Sequence, residues 1–131
     1  MALEDELKAQ ASILRGHALG LMLYGSHASG RAHARSDVDL CVVAGPGRSV
    51  EDALSLARSH LDVPGLVLDL HAFEDLPLYL QGAVIDADRI VWSLDDVALY
   101  AYLRPFRRRW DDQKHRTRVA ADDVRRALAK P

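Results

Sequence analysis

Apolar positions along the chain change their spacing several times, and each change predicts an element. Leu3, Leu7, Ala11 and Leu14 recur at helical steps, which predicts an amphipathic helix over 2–15 ending near Gly16. "ALGLMLY" (18–24) is almost wholly apolar and predicts a short strand, and "DVDLCVVA" (37–44) predicts a second, rich in β-branched residues and followed by a "GPG" turn. Ser49 with Asp52 three residues on has the form of a capping box, with Asp in place of Glu. It opens a helix carrying Val50, Ala53, Leu54, Ala57 and Leu61 along one side, and Pro64-Gly65 stops it. "LVLDLHA" (66–72) predicts a third strand, "LPLYLQ" a short helical stretch closed by Gly82, and "VIDADRIVW" (84–92) a small hairpin around Asp86–Asp88. Ser93 with Asp96 is a second box, opening a helix through Leu99, Tyr100 and Leu103 that should break or kink where Arg104 precedes Pro105. Beyond it, Phe106, Trp110, Ala121, Val124 and Leu128 form a thin apolar stripe among arginines, as in a helix partly stabilised by a partner. The order of elements predicts an α/β (α+β) fold with a small mixed sheet flanked by helices.

Composition narrows this picture. A length of 131 residues suits one domain, 1–131, in which 104–131 is a basic helical segment. No stretch reaches the roughly 18 apolar residues of a membrane span, and the acidic start "MALEDELKAQ" is unlike a signal peptide, so a cytoplasmic location is expected. Cys41 is the only cysteine, which excludes an intrachain disulfide and a cysteine metal cluster; "LCVVA" predicts a buried thiol. Residues 1–100 hold 7 Lys/Arg against 15 Asp/Glu, whereas 101–131 hold 10 against 4. A basic tail on an acidic body points to an anionic partner surface for the tail and away from nucleic-acid binding by the body. Aromatic residues among the arginines of "RPFRRRW" (104–110) favour a protein interface, with RNA, ATP phosphates or a solvated helix face as the other readings.

The chemistry gathers in "LYGSHASGRAHARSDVDL", residues 23–40. Strand alternation puts Asp37 and Asp39 on one side and Val38, Leu40 and Val42 on the other. Two carboxylates so placed repel unless a cation sits between them, and Mg²⁺, which takes oxygen ligands and substrate phosphates, suits the position. Gly25 allows a sharp turn at a strand end. Ser26 then offers a hydroxyl and backbone N–H groups to triphosphate oxygens. Gly30 permits close approach, and Arg31 or Arg35 could meet phosphate charge; Ser36 joins Gly25, Ser26, Arg31 and Arg35 in the candidate nucleotide-binding set. Asp69, flanked by Val67, Leu68 and Leu70, supplies a third carboxylate. An unpaired charge is expensive to bury, so a second metal ion and activation of an attacking hydroxyl are its expected roles.

Gly25-Ser26, ten residues, Asp37-Val38-Asp39 and the later Asp69 resemble the signature shared by polymerase-β-type and antibiotic nucleotidyltransferases. The short chain, the early helix and "GAVIDADRIVWSLDDVALYAYL" are similar, more narrowly, to the minimal nucleotidyltransferase (MNT) antitoxins, partners of HEPN toxins. The resemblance covers roughly residues 10–110. It implies a nucleotidyltransferase fold and transfer of AMP from ATP to a tyrosine hydroxyl of a HEPN ribonuclease toxin within a hetero-oligomer. By position, Gly25 and Ser26 would hold the triphosphate and Asp37 and Asp39 the Mg²⁺ ions. Asp69 would complete the metal site and act as base. The family often has Arg directly after Gly-Ser, where this chain has His27. A small-molecule acceptor such as an aminoglycoside, and an antitoxin that acts by binding alone, are the alternatives.

His27 and His33 flank the loop and could contact phosphate. His71, two residues beyond Asp69 on the same strand face, is either a site residue or a strand-end polar group. His17, His60 and His115 show no metal-ligand spacing, and turn or cap positions account for Asp86, Asp88, Asp95 and Asp96.

Overall fold

The computed structural model describes residues 2–32 and 37–129. Its strands are β1 (Gly20–Tyr24), β2 (Val38–Val43), β3 (Leu68–Ala72) and β4 (Arg89–Ser93), and its helices are α1 (Leu3–Ala11), α2 (Ser26–Ser29), α3 (Val50–His60), α4 (Leu78–Ala87) and α5 (Asp96–Ala129). The sheet order is β3-β2-β1-β4, with β1 antiparallel to both β2 and β4, and β2 parallel to β3. The mixed sheet flanked by helices is the predicted α/β arrangement. The parallel pair requires a crossover, and α3 provides it.

Strand alternation divides the core between the two faces of the sheet. Leu21, Leu23, Val38, Leu40, Val42, Leu70 and Ala72 pack with Leu7 and Ala11 of α1 and Ala53 and Ala57 of α3. Met22, Tyr24, Cys41 and Val43 face the other way, against Phe73, Val84 and Ile85 near and on α4 and Leu99 and Leu103 of α5. Cys41 is fully buried, as expected. Asp39 alternates with Cys41 and so belongs to the α4/α5 face, at the end of β2 where that cover runs out.

Ser49 caps α3 as its box predicts, its Oγ accepting from the Asp52 N–H at 3.1 Å. The second box is different. Asp95 caps α5, accepting from the Ala98 N–H at 3.2 Å, and Ser93 donates its hydroxyl to Asp96.

Three expectations are corrected. Gly82 does not close a helical stretch: α4 runs through it, because the Trp110 indole lies where a side chain would be, with a Cβ at Gly82 only 2.2 Å from ring atoms. Residues 84–92 form no hairpin; burial of Val84 and Ile85 keeps α4 going, and the chain reverses at Asp88, whose φ is 51°. Nor does α5 break at Arg104-Pro105, since it is helical from Asp96 to Ala129. Proline removes the N–H that would bond the carbonyl four residues back; Ala101 and Pro105 are both exposed, so water can serve that carbonyl.

Candidate active site

β1 ends in a backbone conformation that dictates glycine. Gly25 has φ 73° and ψ −151°, a region that side chains make costly. Space makes the same demand, since a Cβ there would stand 2.2 Å from Asp39 Oδ2. The turn thus lies directly against the Asp39 carboxylate and starts α2 at Ser26. Within α2 the Ser29 N–H donates to the Gly25 carbonyl at 3.1 Å, and the Arg31 N–H closes the segment onto the Ser26 carbonyl at 3.0 Å. Arg89 fastens it from outside, donating to the Ala28 carbonyl at 3.4 Å and to Glu4 of α1.

Register assembles the carboxylates. Tyr24 pairs with Asp39 across the antiparallel ladder, and Asp39 pairs with Asp69 across the parallel one. Asp37 stands exposed immediately before β2, whose ladder begins with the Val38 N–H donating to the Val67 carbonyl at 2.8 Å. Partial burial is the main reason the Asp39 carboxyl is held above the usual carboxylate range. The adjacent Asp69, by charge and by hydrogen bond, and then Asp37 push the same way, while His27 pulls it down. Burial, followed by the charges of Cys41, Asp39 and Asp69, likewise raises the Tyr24 hydroxyl above its ordinary value. Among the described residues, the charges acting on Asp39 are those of Asp69 and Asp37 against His27.

The structure therefore brings together Gly25, Ser26, Asp37, Asp39 and Asp69. Arg31 is exposed just past α2. Arg35, Ser36 and His33 lie outside the described residues. His27 takes part in the site through its charge on Asp39. His71 Nε2 lies 2.9 Å from Asp69 Oδ1. Sequence reasoning missed Tyr24 and Arg89: the first is marked only by register, and an exposed arginine at a strand start carries no signal at all.

The donors are hard oxygens, the kind Mg²⁺ prefers. No group of three His, Cys, Asp or Glu side chains among the described residues is already gathered as a metal cage. A cation that keeps waters and takes phosphate oxygens needs only one or two carboxylates from the protein, and the crowded Asp39–Asp69 pair meets that need.

Residues 10–97 match the family described as Polymerase beta, Nucleotidyltransferase, and the chain belongs to it. A Methanocaldococcus jannaschii protein named "Putative protein adenylyltransferase MJ1547" is 31% identical over 102 residues, covering 76% of this chain and 75% of that protein. A chain from the crystal structure of a toxin-antitoxin with AMP-PNP superposes with TM-score 0.63 at 18% identity, covering 94% of this chain and 98% of that one. Another, from a tri-AMPylated Shewanella oneidensis HEPN toxin in complex with MNT antitoxin, gives 0.60 at 15%, covering 93% and 98%. At such identities these two likenesses establish the fold. No helix among the described residues is long and apolar enough to cross a membrane.

Proposed function

We propose that this protein is an antitoxin that transfers AMP from ATP to a tyrosine hydroxyl of a HEPN toxin and so silences it. The observation that carries the reading is the Asp39–Asp69 pair beneath the Gly25 turn. Carboxylates facing each other on neighbouring strands are unfavourable for folding alone, and the glycine turn beside them opens a helix at Ser26. The M. jannaschii relative is named for protein adenylyltransfer, and the two structural neighbours come with an ATP analogue in one case and an AMPylated toxin in the other.

In this reading Gly25 and Ser26 would hold the triphosphate, Arg31, Arg35 and Ser36 would add to its binding, and Asp37, Asp39 and Asp69 would hold Mg²⁺. The metal would offset phosphate charge and lower the proton affinity of an oxygen bound to it. Asp69 takes the proton of the attacking tyrosine as its oxygen bonds to the α-phosphorus. The bond from that phosphorus to the pyrophosphate oxygen breaks, and pyrophosphate leaves. Nucleotide and acceptor must be held in line for this, which the fixed turn on one side and the carboxylates on the other favour.

A cavity of about 620 Å³ lies at the other end of β1, lined by Leu19, Pro46, Arg48, Leu94 and Tyr102 among others. None of the residues named belongs to the carboxylate site, so this cavity is not its acceptor pocket. The partner surface in this reading is α5, where Arg104, Arg107, Arg108, Arg116 and Arg118 form no ion pair among the described residues and Val124 and Leu128 are exposed. Trp110 is no free anchor, because it packs on Gly82 and donates to Asp86 Oδ2 at 2.9 Å.

Incubation with labelled ATP, Mg²⁺ and the product of the adjacent gene, followed by intact-mass analysis, tests the function. AMP on a partner tyrosine is the expected result; an unmodified partner that is nevertheless neutralised means inhibition by contact alone. Replacing Arg107, Arg108 and Arg109 with Glu should abolish the complex in pull-downs while ATP binding persists, and a surviving complex places docking elsewhere.

A further inference from the structure

We propose that His71 is a positioning residue for the reaction, holding the Asp69 carboxylate in the plane from which it takes the acceptor's proton. The inference rests on the functional reading above. Asp69 and His71 are two apart on β3 and share a face, and their partners on β2 are Asp39 and Cys41. His71 Nε2 is 2.9 Å from Asp69 Oδ1. The contact is an ion-pair distance between a ring nitrogen and a carboxylate oxygen on one strand face.

β3 is one of the two edge strands of the sheet, and the side chains of His71 and Asp69 are 43% and 48% exposed. An exposed carboxylate rotates broadly about its last torsion. With His71 Nε2 against Oδ1 that rotation is restricted, and Oδ2 is the oxygen left for the site. An exposed pair of this kind adds little to stability, because solvent screens it. A proton acceptor, by contrast, loses rate steeply when misplaced by about 1 Å. The benefit of His71 is therefore expected in turnover and not in folding.

The test compares His71→Leu, which removes the polar contact, with His71→Gln, whose amide nitrogen can take the place of Nε2. His71→Leu should lower kcat for AMP transfer about 10-fold, leave KM for ATP within about 2-fold and leave the melting temperature unchanged. His71→Gln should recover most of the rate. In an Asp69→Asn background His71→Leu should cost nothing further, because the two act as one unit. A readout without turnover is calorimetric titration of Mg²⁺ into the protein with a non-hydrolysable ATP analogue, where His71→Leu should need several-fold more metal and His71→Gln should not. If His71→Leu matches the wild type in both rate and metal titration, the assignment falls while the functional reading stands. A rate loss that follows a lowered melting temperature in both variants makes His71 structural and also overturns it. If the wild type transfers no AMP, the functional reading falls, and the metal titration still decides whether His71 orients Asp69.

Discussion

β2 has a carboxylate at each end, and the two are treated in opposite ways. Beyond its C-terminal end Glu74 accepts the Ala44 N–H at 3.2 Å on one oxygen, and the Gly45 N–H at 3.1 Å and the Tyr102 hydroxyl at 2.8 Å on the other. Its charge is met by three donors and ties the β2 turn to α5. Near the N-terminal end, Asp39 faces Asp69 and has Asp37 close by, and its carboxyl is raised first by burial and then by those neighbours. A fold under selection for stability alone would treat both ends like Glu74. The contrast separates a carboxylate that holds the structure from carboxylates held by it.

Exchanging charge for an isosteric amide at Asp39 should give the largest effect. Asp39→Asn removes an oxygen ligand and part of the repulsion together, so Mg²⁺-dependent ATP binding and transfer should both vanish, transfer by about 10³-fold or more (about 4 kcal/mol). The metal-free melting temperature should hold or rise. A marked fall in it would mean that Asp39 is structural after all, and the contrast with Glu74 would collapse.

Asp69→Asn comes next and should separate binding from chemistry. ATP affinity by calorimetry should stay within a few-fold, while transfer falls on the order of 100-fold or more, since the base acts on the acceptor's proton. Normal transfer by this variant would sink the three-carboxylate mechanism.

At the other end, Glu74→Ala should leave the carboxylate site intact and weaken the fold by about 2–3 kcal/mol in denaturant unfolding, because two backbone N–H groups and a hydroxyl lose a charged acceptor. Ser26→Ala should do the reverse. It should lower transfer about 10-fold to 100-fold, or about 1.4 to 2.7 kcal/mol, at unchanged stability.

The placing of Gly25 against Asp39 was readable in the chain because its signals are local. Alternation along β2 fixes the face of Asp39, though Asp37 falls just outside the strand, and Gly25 follows an apolar run at a glycine where a side chain would strike Asp39. Ser49 reaches only to the next helical turn. The Glu74 end was silent, since its partners lie 28 to 30 residues away and nothing near Glu74 announces them. Distance also explains the errors around α4. Gly82 reads as a stop until Trp110 of α5 is seen to occupy its surface, and the 84–92 stretch reads as a hairpin until the sheet buries Val84 and Ile85. Pro105 misled for another reason, because its missing hydrogen bond falls on the exposed side of a helix already held by Leu99 and Leu103.

The smallest effect expected is that of Tyr102→Phe, which deletes one donor to Glu74 and keeps both backbone donors. Stability at neutral pH should fall by about 1 kcal/mol, with ATP binding and transfer unchanged. Alkaline pH sharpens the comparison. Burial, followed by the hydrogen bond to and charge of Glu74, holds the Tyr102 hydroxyl above its ordinary value near 10. The folded protein therefore keeps a proton that the unfolded chain releases from about pH 10 upward. Stability should fall as pH rises through that window, and part of the slope should disappear in Tyr102→Phe. The part that remains is shared by Cys41 and Tyr100, which are raised as well, and by Tyr24, raised first by burial and then by Cys41, Asp39 and Asp69. Asp39→Asn should reduce that remainder without touching the Tyr102 part, so the two slopes report separately on the two ends of β2. Equal slopes in the wild type and both variants would show that neither carboxylate end acts on its tyrosine.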